Sequence, residues 1–246
     1  MTTQTGQLYI ASCIEQVLAA HPMEEQLSDG AAFMALRSLE DTDAGSVRLW
    51  QAEPHSALDR MVHVQLLAGP VVTQLFFIFG KRSGCMPHFH SQLVQFPPDG
   101  CVYNADLMPR LDAVMHPGYF TNVYSDLTKP YLKATSKTEN SCSKALMNPA
   151  IAAFLSPWGI VSHRTDTAEY ERVRPHLDAY LTHYLQLPES LQSSASSEEL
   201  TQRDAAHLER FFDDDLDPRA WNGVYRIIGE AAGKQIKAIL KTPLNK

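Results

Sequence analysis

No stretch of this 246-residue chain approaches the roughly 20 consecutive apolar residues needed to span a bilayer, so no membrane partner is expected. Basic charge is scarce as well. Lys plus Arg number 21 against 28 Asp plus Glu, a formal charge of -7, and nucleic acid is not an expected partner because phosphate affinity needs a basic footprint. The four cysteines, Cys13, Cys85, Cys101 and Cys142, form no CxxC pair. That argues against a zinc site or an iron–sulfur cluster and fits free thiols in a reducing compartment. Twelve Gly and 15 Pro are too few for a low-complexity or collagen-like chain. The opening MTTQTGQLYIASCIEQ lacks the basic region of a signal peptide and the Arg-rich face of a transit peptide, so the expected location is cytoplasmic. GxGxxG, HExxH and GxSxG are all missing, and GEAAGK at Gly229–Lys234 is one residue short of a P-loop.

What is present is a change of period along the chain. Ile10, Ile14, Val17 and Leu18 recur at helical spacing and predict a helix over Leu8–Ala20. Five strand-like runs follow, Ser46–Gln51, Met61–Leu67, Val71–Phe79, His88–Phe96 and Cys101–Leu107, with short breaks that suit an antiparallel meander. From Leu111 the pattern turns helical. Helices are predicted over Tyr170–Leu187, opened or kinked at Pro175, over Glu198–Phe212 and over Pro218–Leu240. Pro188–Glu199 reads as a mobile loop. Strands first and helices later give an α+β fold, a sheet covered by helices, in a single domain spanning residues 1–246.

Polar residues interrupt the strands. Side chains alternate faces along a strand, so His88, His90 and Gln92 share one face, as do Asn104 and Asp106 of the next strand, and His63 and Gln65 two strands earlier. Such a stripe is either a pocket floor or the solvated side of a half-buried sheet. His88-x-His90 also fits half of a metal site, but no second ligand run accompanies it and no metal is expected. Asp217-Pro218 is an ordinary N-cap and N1 pair, and Asp213, Asp214 and Asp215 read as a solvated acidic run. Lys129, Lys133, Lys137 and Lys144 form one basic cluster, and Lys234, Lys237, Lys241 and Lys246 another. Each is either a solvated, dipole-matched face or a docking patch for a small acidic partner.

Two segments resemble the ferredoxin-dependent bilin reductases, with the related red chlorophyll catabolite reductases as the nearest branch. The first is PHFHSQLVQ…CVYNADLMP, Pro87–Pro109, whose Asp106–Pro109 reproduces an Asp-Leu-x-Pro ending. The second is DPRAWNGVYRIIGEAAGKQI, similar to that family's Asp-Pro-x-Arg helix, with Arg219 one place early. HPGYFTNVYSD and LMNPAIAAFLSPWGIVSHR between them look most like the red chlorophyll catabolite reductase branch. The resemblance implies a three-layer α/β/α sandwich with a central antiparallel sheet. It implies a linear tetrapyrrole, biliverdin or a related open-chain bilin, reduced in single-electron, proton-coupled steps. Reduced ferredoxin supplies the electrons, and no metal or flavin is bound permanently.

Carried over by position, Asp106 and Asp217 are the proton-handling carboxylates and Arg164 a propionate-binding arginine, and His90 and Gln92 of the polar stripe join the candidate catalytic set. Substrate contacts fall to His63, His88, Asn104, Arg164 and Arg219, and ferredoxin docking to Lys129, Lys133, Lys137 and Lys144. Two departures stand out. Gln92 occupies the place of a glutamate in the red chlorophyll catabolite reductases, and Phe76 or Phe77 the place of a histidine in phycocyanobilin-forming members. Gln92 motivates an alternative, a bilin carrier that has lost proton transfer. A His88/His90 metal oxygenase is a further alternative.

Overall fold

The computed structural model describes residues 2–136, 147–188, 191 and 195–243. The five strand-like runs become consecutive strands of one antiparallel sheet: β3 (Asp43–Ala52), β4 (Leu58–Ala68), β5 (Val71–Gly80), β6 (His88–Phe96) and β7 (Gly100–Met108). Four short strands complete it. β1 (Met23–Gln26) and β2 (Met34–Arg37) lie along β3, and β8 (Ile160–Val161) and β9 (Thr165–Asp166) along β7, giving nine strands among the described residues. Runs of two to four residues carry too little alternation to read from sequence. They cover edges that would otherwise present unpaired backbone groups.

Cross-strand partners share a face, so register decides which residues meet. The rows Val62–Phe77–His90–Asp106 and Val64–Leu75–Gln92–Asn104 lie on one face. That face is covered by α6 (Ser197–Phe211) and α7 (Pro218–Lys241), with Leu208, Trp221 and Ile236 packed against Val62, Val64 and Phe79. The row His63–Phe76–Ser91–Ala105 lies on the other. Against it pack α1 (Thr2–Ala20), α2 (Pro117–Tyr124), α3 (Thr128–Thr135) and α5 (Thr167–Gln186), whose apolar stripes meet Phe76, Phe89 and Tyr103. The sequence-based expectation of a three-layer α+β sandwich therefore holds.

The helices start and stop for local reasons. Asp166 caps α5 by accepting from the Glu169 amide at 2.7 Å, so the helix begins one turn before the expected Tyr170. Pro175 stands inside α5, and the helix runs on through it. The lost backbone bond, which costs about 3 kcal/mol, is offset by the buried stripe Tyr170, Val173, Leu177, Tyr180, Leu181 and Tyr184. Ser196 and Glu199 form a reciprocal capping box, so α6 begins at Ser197, inside the tract read as a loop. Residues 189, 190 and 192–194 of that tract lie outside the described residues.

Helix α7 is broken at Gly229, whose φ of 81° and ψ of 160° only glycine tolerates readily. The break frees the Ile227 carbonyl, which accepts from the Leu39 amide at 3.0 Å. The segment before Gly229 covers the sheet over Val64, Leu75 and Gln92, and the segment after it ends against β4 and the loop after β5. There the Leu240 carbonyl accepts from Arg60 at 2.6 Å and the Lys241 carbonyl from Arg82 at 2.8 Å. No helix among the described residues is long and apolar enough to cross a membrane.

Candidate active site

Where β6 and β7 pass under the start of α7, the apolar face of the sheet gives way to the polar row read from the sequence. His90, Gln92, Asn104 and Asp106 form the floor of a cavity of about 320 Å3. Ile151 and Leu155 roof it, and Phe211 and Asp217 close its far wall. The roof starts at a short helix, α4 (Pro149–Ala152), capped by Asn148 through the Ala150 amide at 2.9 Å. The stripe is thus a cavity floor rather than a solvated sheet face, because α6, α7 and the segment around α4 lie over it.

Asp106 is 1% exposed, and a tight turn grips its carboxylate. The Ser156 amide donates to Oδ2 at 2.8 Å and the Ser156 hydroxyl to Oδ1 at 2.5 Å. The turn is fixed in its own right. The Trp158 amide donates to Ser156 Oγ at 3.1 Å and the Gly159 amide to the Ser156 carbonyl at 3.1 Å. Tyr180 Oη donates to the Trp158 carbonyl at 2.5 Å, and the Trp158 ring stacks on Tyr124 with centroids 5.1 Å apart.

His90 is the β6 partner of Asp106. Its ring stacks on Phe77 at 4.4 Å with an interplanar angle of 8°, and Phe211 meets it edge-on at 5.9 Å. Burial pushes the imidazole down to about 3, so it is neutral near neutral pH. Phe77, not Phe76, therefore stands on the cavity face. Gln92 and Asn104 form an amide pair, Asn104 Nδ2 donating to Gln92 Oε1 at 2.7 Å, while Asn104 Oδ1 is buried without a partner.

Gln92 also lines a second cavity of about 350 Å3, which continues along the same face toward Val94 beneath the first turns of α7. This trough is apolar, walled by Val64, Leu66, Leu75, Trp221 and Val224, with Arg219 at its rim. Lys237 holds the Trp221 wall, its Nζ 4.3 Å from the ring centroid. Asp217 combines both roles read from the sequence. Its Oδ1 caps α7 by accepting from the Ala220 amide at 3.1 Å, and the side chain lines the first cavity.

Several expected residues are placed elsewhere. His63 lies on the opposite face, in register with Phe76, and pairs with Gln74 at 2.5 Å; shared polarity between strands gave no information on strand register. His88 is on the correct face but committed to structure. The Gly80 amide donates to its Nδ1 at 3.0 Å, and its Nε2 lies 2.7 Å from Asp204 Oδ1, leaving neither nitrogen for a ligand or a metal. Arg164 is exposed and stacks over Phe96 at 4.8 Å, outside both cavities; the neighbouring His163 lines the first instead.

Asp214 is exposed, as a solvated acid should be, and it also binds Lys237 and accepts from Tyr225 Oη at 2.7 Å. The C-terminal basic cluster is likewise consumed internally. Lys237 pairs with Asp214, Lys241 with Glu209 at 2.8 Å, and Lys234 with Glu230 at 2.5 Å, while Lys246 lies outside the described residues. Lys129 and Lys133 line a groove between α3 and α5 that also carries Asp126 and Asp178, and Lys137 and Lys144 lie outside the described residues.

Sequence reasoning missed Ser156, His163 and Phe211. Ser156 stood in the quoted SPWG stretch, but nothing in that pattern says which carboxylate its donors meet.

No family model matches the chain. Over 86 residues it is 30% identical to red chlorophyll catabolite reductase 1, chloroplastic, of Oryza sativa subsp. japonica. The matched stretch spans 33% of this chain and 26% of that protein, about a quarter of its length. The fold is shared with phytochromobilin synthase from tomato, solved in complex with biliverdin: the TM-score is 0.75 at 15% identity, covering 98% of this chain and 84% of that one. The sequence likeness is to a red chlorophyll catabolite reductase, the branch that the sequence resembles, and the structural likeness shows the fold expected of that resemblance.

Proposed function

We propose that the protein is an oxidoreductase that reduces a conjugated double bond of a linear tetrapyrrole, biliverdin or a related open-chain bilin, with reduced ferredoxin as electron donor. The observation that carries this reading is one cavity with Asp106 in its floor and Asp217 in the opposite wall, continued by an apolar trough. The trough suits flat, conjugated rings, and a guanidinium at its rim, Arg219, suits a propionate. The two cavities, about 320 and 350 Å3, meet at Gln92, so an extended ligand would lie along the sheet across both.

In this reading electrons arrive singly, and each is stabilised by a proton moved to the resulting radical. No permanently bound cofactor is required. Asp106 and Asp217 hold or pass protons from opposite sides, and the neutral His90 ring lines the floor beside Asp106. Lys129 and Lys133 are the proposed docking contacts for ferredoxin. Cytoplasmic residence belongs to the proposal too; the rice relative is named chloroplastic, and cell fractionation separates the two.

The test is an anaerobic absorption time course with protein, biliverdin, ferredoxin, ferredoxin reductase and NADPH. A transient radical band followed by a new bilin spectrum is the expected result. A carrier is the second reading, favoured by the Gln92–Asn104 amide pair where an acid would donate protons. It expects a bound spectrum that reduced ferredoxin leaves unchanged. Absence of any bilin binding would sink both.

A further inference from the structure

Ser156 is buried, 0% exposed, and offers both of its donors to one carboxylate. Its amide meets Oδ2 of Asp106 and its hydroxyl meets Oδ1. A hydroxyl that only filled space would be free to rotate. Here the Trp158 amide donates to the same oxygen, so the hydroxyl proton is directed at Asp106. The turn is pinned from the other layer by Tyr180 and from α3 by Thr128, whose Oγ1 accepts from Trp158 Nε1 at 3.0 Å.

We propose that Ser156 is the positioning residue of the site: it fixes the rotamer of the Asp106 carboxyl group and sets which oxygen lone pairs face the cavity. The inference rests on the proposed function for its catalytic meaning, but the Ser156–Asp106 coupling stands without it. Two donors on a buried carboxylate stabilise its charged form. Asp106 thereby presents oriented oxygen atoms to a ring N–H of the occupant. The titratable groups facing Asp106 are His90 on β6, Asp217 at the start of α7, His163 after β8, Tyr124 on α2 and Tyr180 on α5. The imidazole of His90 is neutral, and burial pushes both tyrosines up, so none of these three places a positive charge on Asp106.

The test is a carbon-13 NMR titration of aspartate carboxyls in the full chain without ligand, the Asp106 signal being assigned by its loss in Asp106→Asn. In Ser156→Ala the Asp106 midpoint is expected to rise by about one pH unit or more, with recovery in Ser156→Thr. If Ser156→Ala does not fold, Ser156→Cys, with its weaker donor, is expected to give a smaller upward shift. An unchanged midpoint in a folded Ala or Cys variant would overturn the proposal. With biliverdin and reduced ferredoxin, the pH profile of kcat is expected to move with the midpoint while bilin affinity changes less than about threefold. If the wild-type chain reduces no bilin, the functional reading fails and the NMR result still decides the coupling.

Discussion

At the scale of single residues, Asp106 carries the most specific expectation. Asp106→Asn keeps the volume and one acceptor but cannot take up or release the carboxyl proton. Turnover of bilin is expected to fall by about 100-fold or more, with binding, followed by the absorption of the bound bilin, largely retained. Turnover near the wild-type rate would remove Asp106 from the chemistry.

Three buried histidines make a second residue-scale prediction. Burial pushes His88 down to about 4 and His90 and His207 down to about 3. In the unfolded chain these groups take up protons near pH 6.5. Between that value and the folded ones the unfolded state binds more protons, so stability falls as pH falls. Urea midpoints are expected to drop from about pH 6.5 to about pH 4, and a flat profile across that window would contradict the burial of all three. Asp204 adds to the loss only at lower pH. Burial alone would raise it, but His88, Arg110 and Arg82 overcome that and hold its carboxyl below the usual range. The sequence made Asp106, His90 and Gln92 legible because strand alternation puts them on one face. It misjudged His63 and His88 because register and buried partners depend on chain segments far away in sequence, such as Asp204.

Among elements, the long ones were legible and the short ones were not. Five strands and four helices followed from periodicity, with ends moved by local caps such as Asp166 and the Ser196–Glu199 box. Strands β8 and β9 have no pattern of their own and exist because β7 offers them an edge. The break in α7 was hidden because Gly229 sits within a run of good helical spacing. Its φ of 81° makes a clear prediction. Gly229→Ala is expected to cost about 1–3 kcal/mol in chemical denaturation, more than an ordinary helix-interior exchange, whose sign would be stabilising. A stabilised variant would mean that the break is not held in solution.

Across the whole molecule, the polar cluster at one end of the sheet ties the layers together. Asp204 on α6 meets His88 at 2.7 Å, Arg82 at 3.1 Å and Arg110 at 3.2 Å. Arg82 and Arg110 also donate to the backbone carbonyls of Lys241 and of Arg82 itself. Removing the one carboxylate would leave buried positive charge unpaired. Asp204→Ala is therefore expected to lose about 3–5 kcal/mol, measured by urea denaturation with circular dichroism and Trp fluorescence. Because both apolar cores share one sheet, the two probes are expected to report a single coincident transition, as one domain requires. Separate transitions would divide the chain.

The break at Gly229 has a consequence for how such a chain can diversify. The segment after it is tethered by Arg60, Arg82 and Asp214, while the segment before it supplies Asp217, Arg219 and Trp221 to the cavities. Most of the cavity lining that α7 supplies thus comes from the first rod, and the Arg60 and Arg82 tethers hold the end of the second. Exposed positions in the front rod, such as Arg219 and Asn222, are open to exchange without loosening the clamp behind them. Exchanges there are expected to reshape the mouth of the trough while leaving the tethers of the second rod in place.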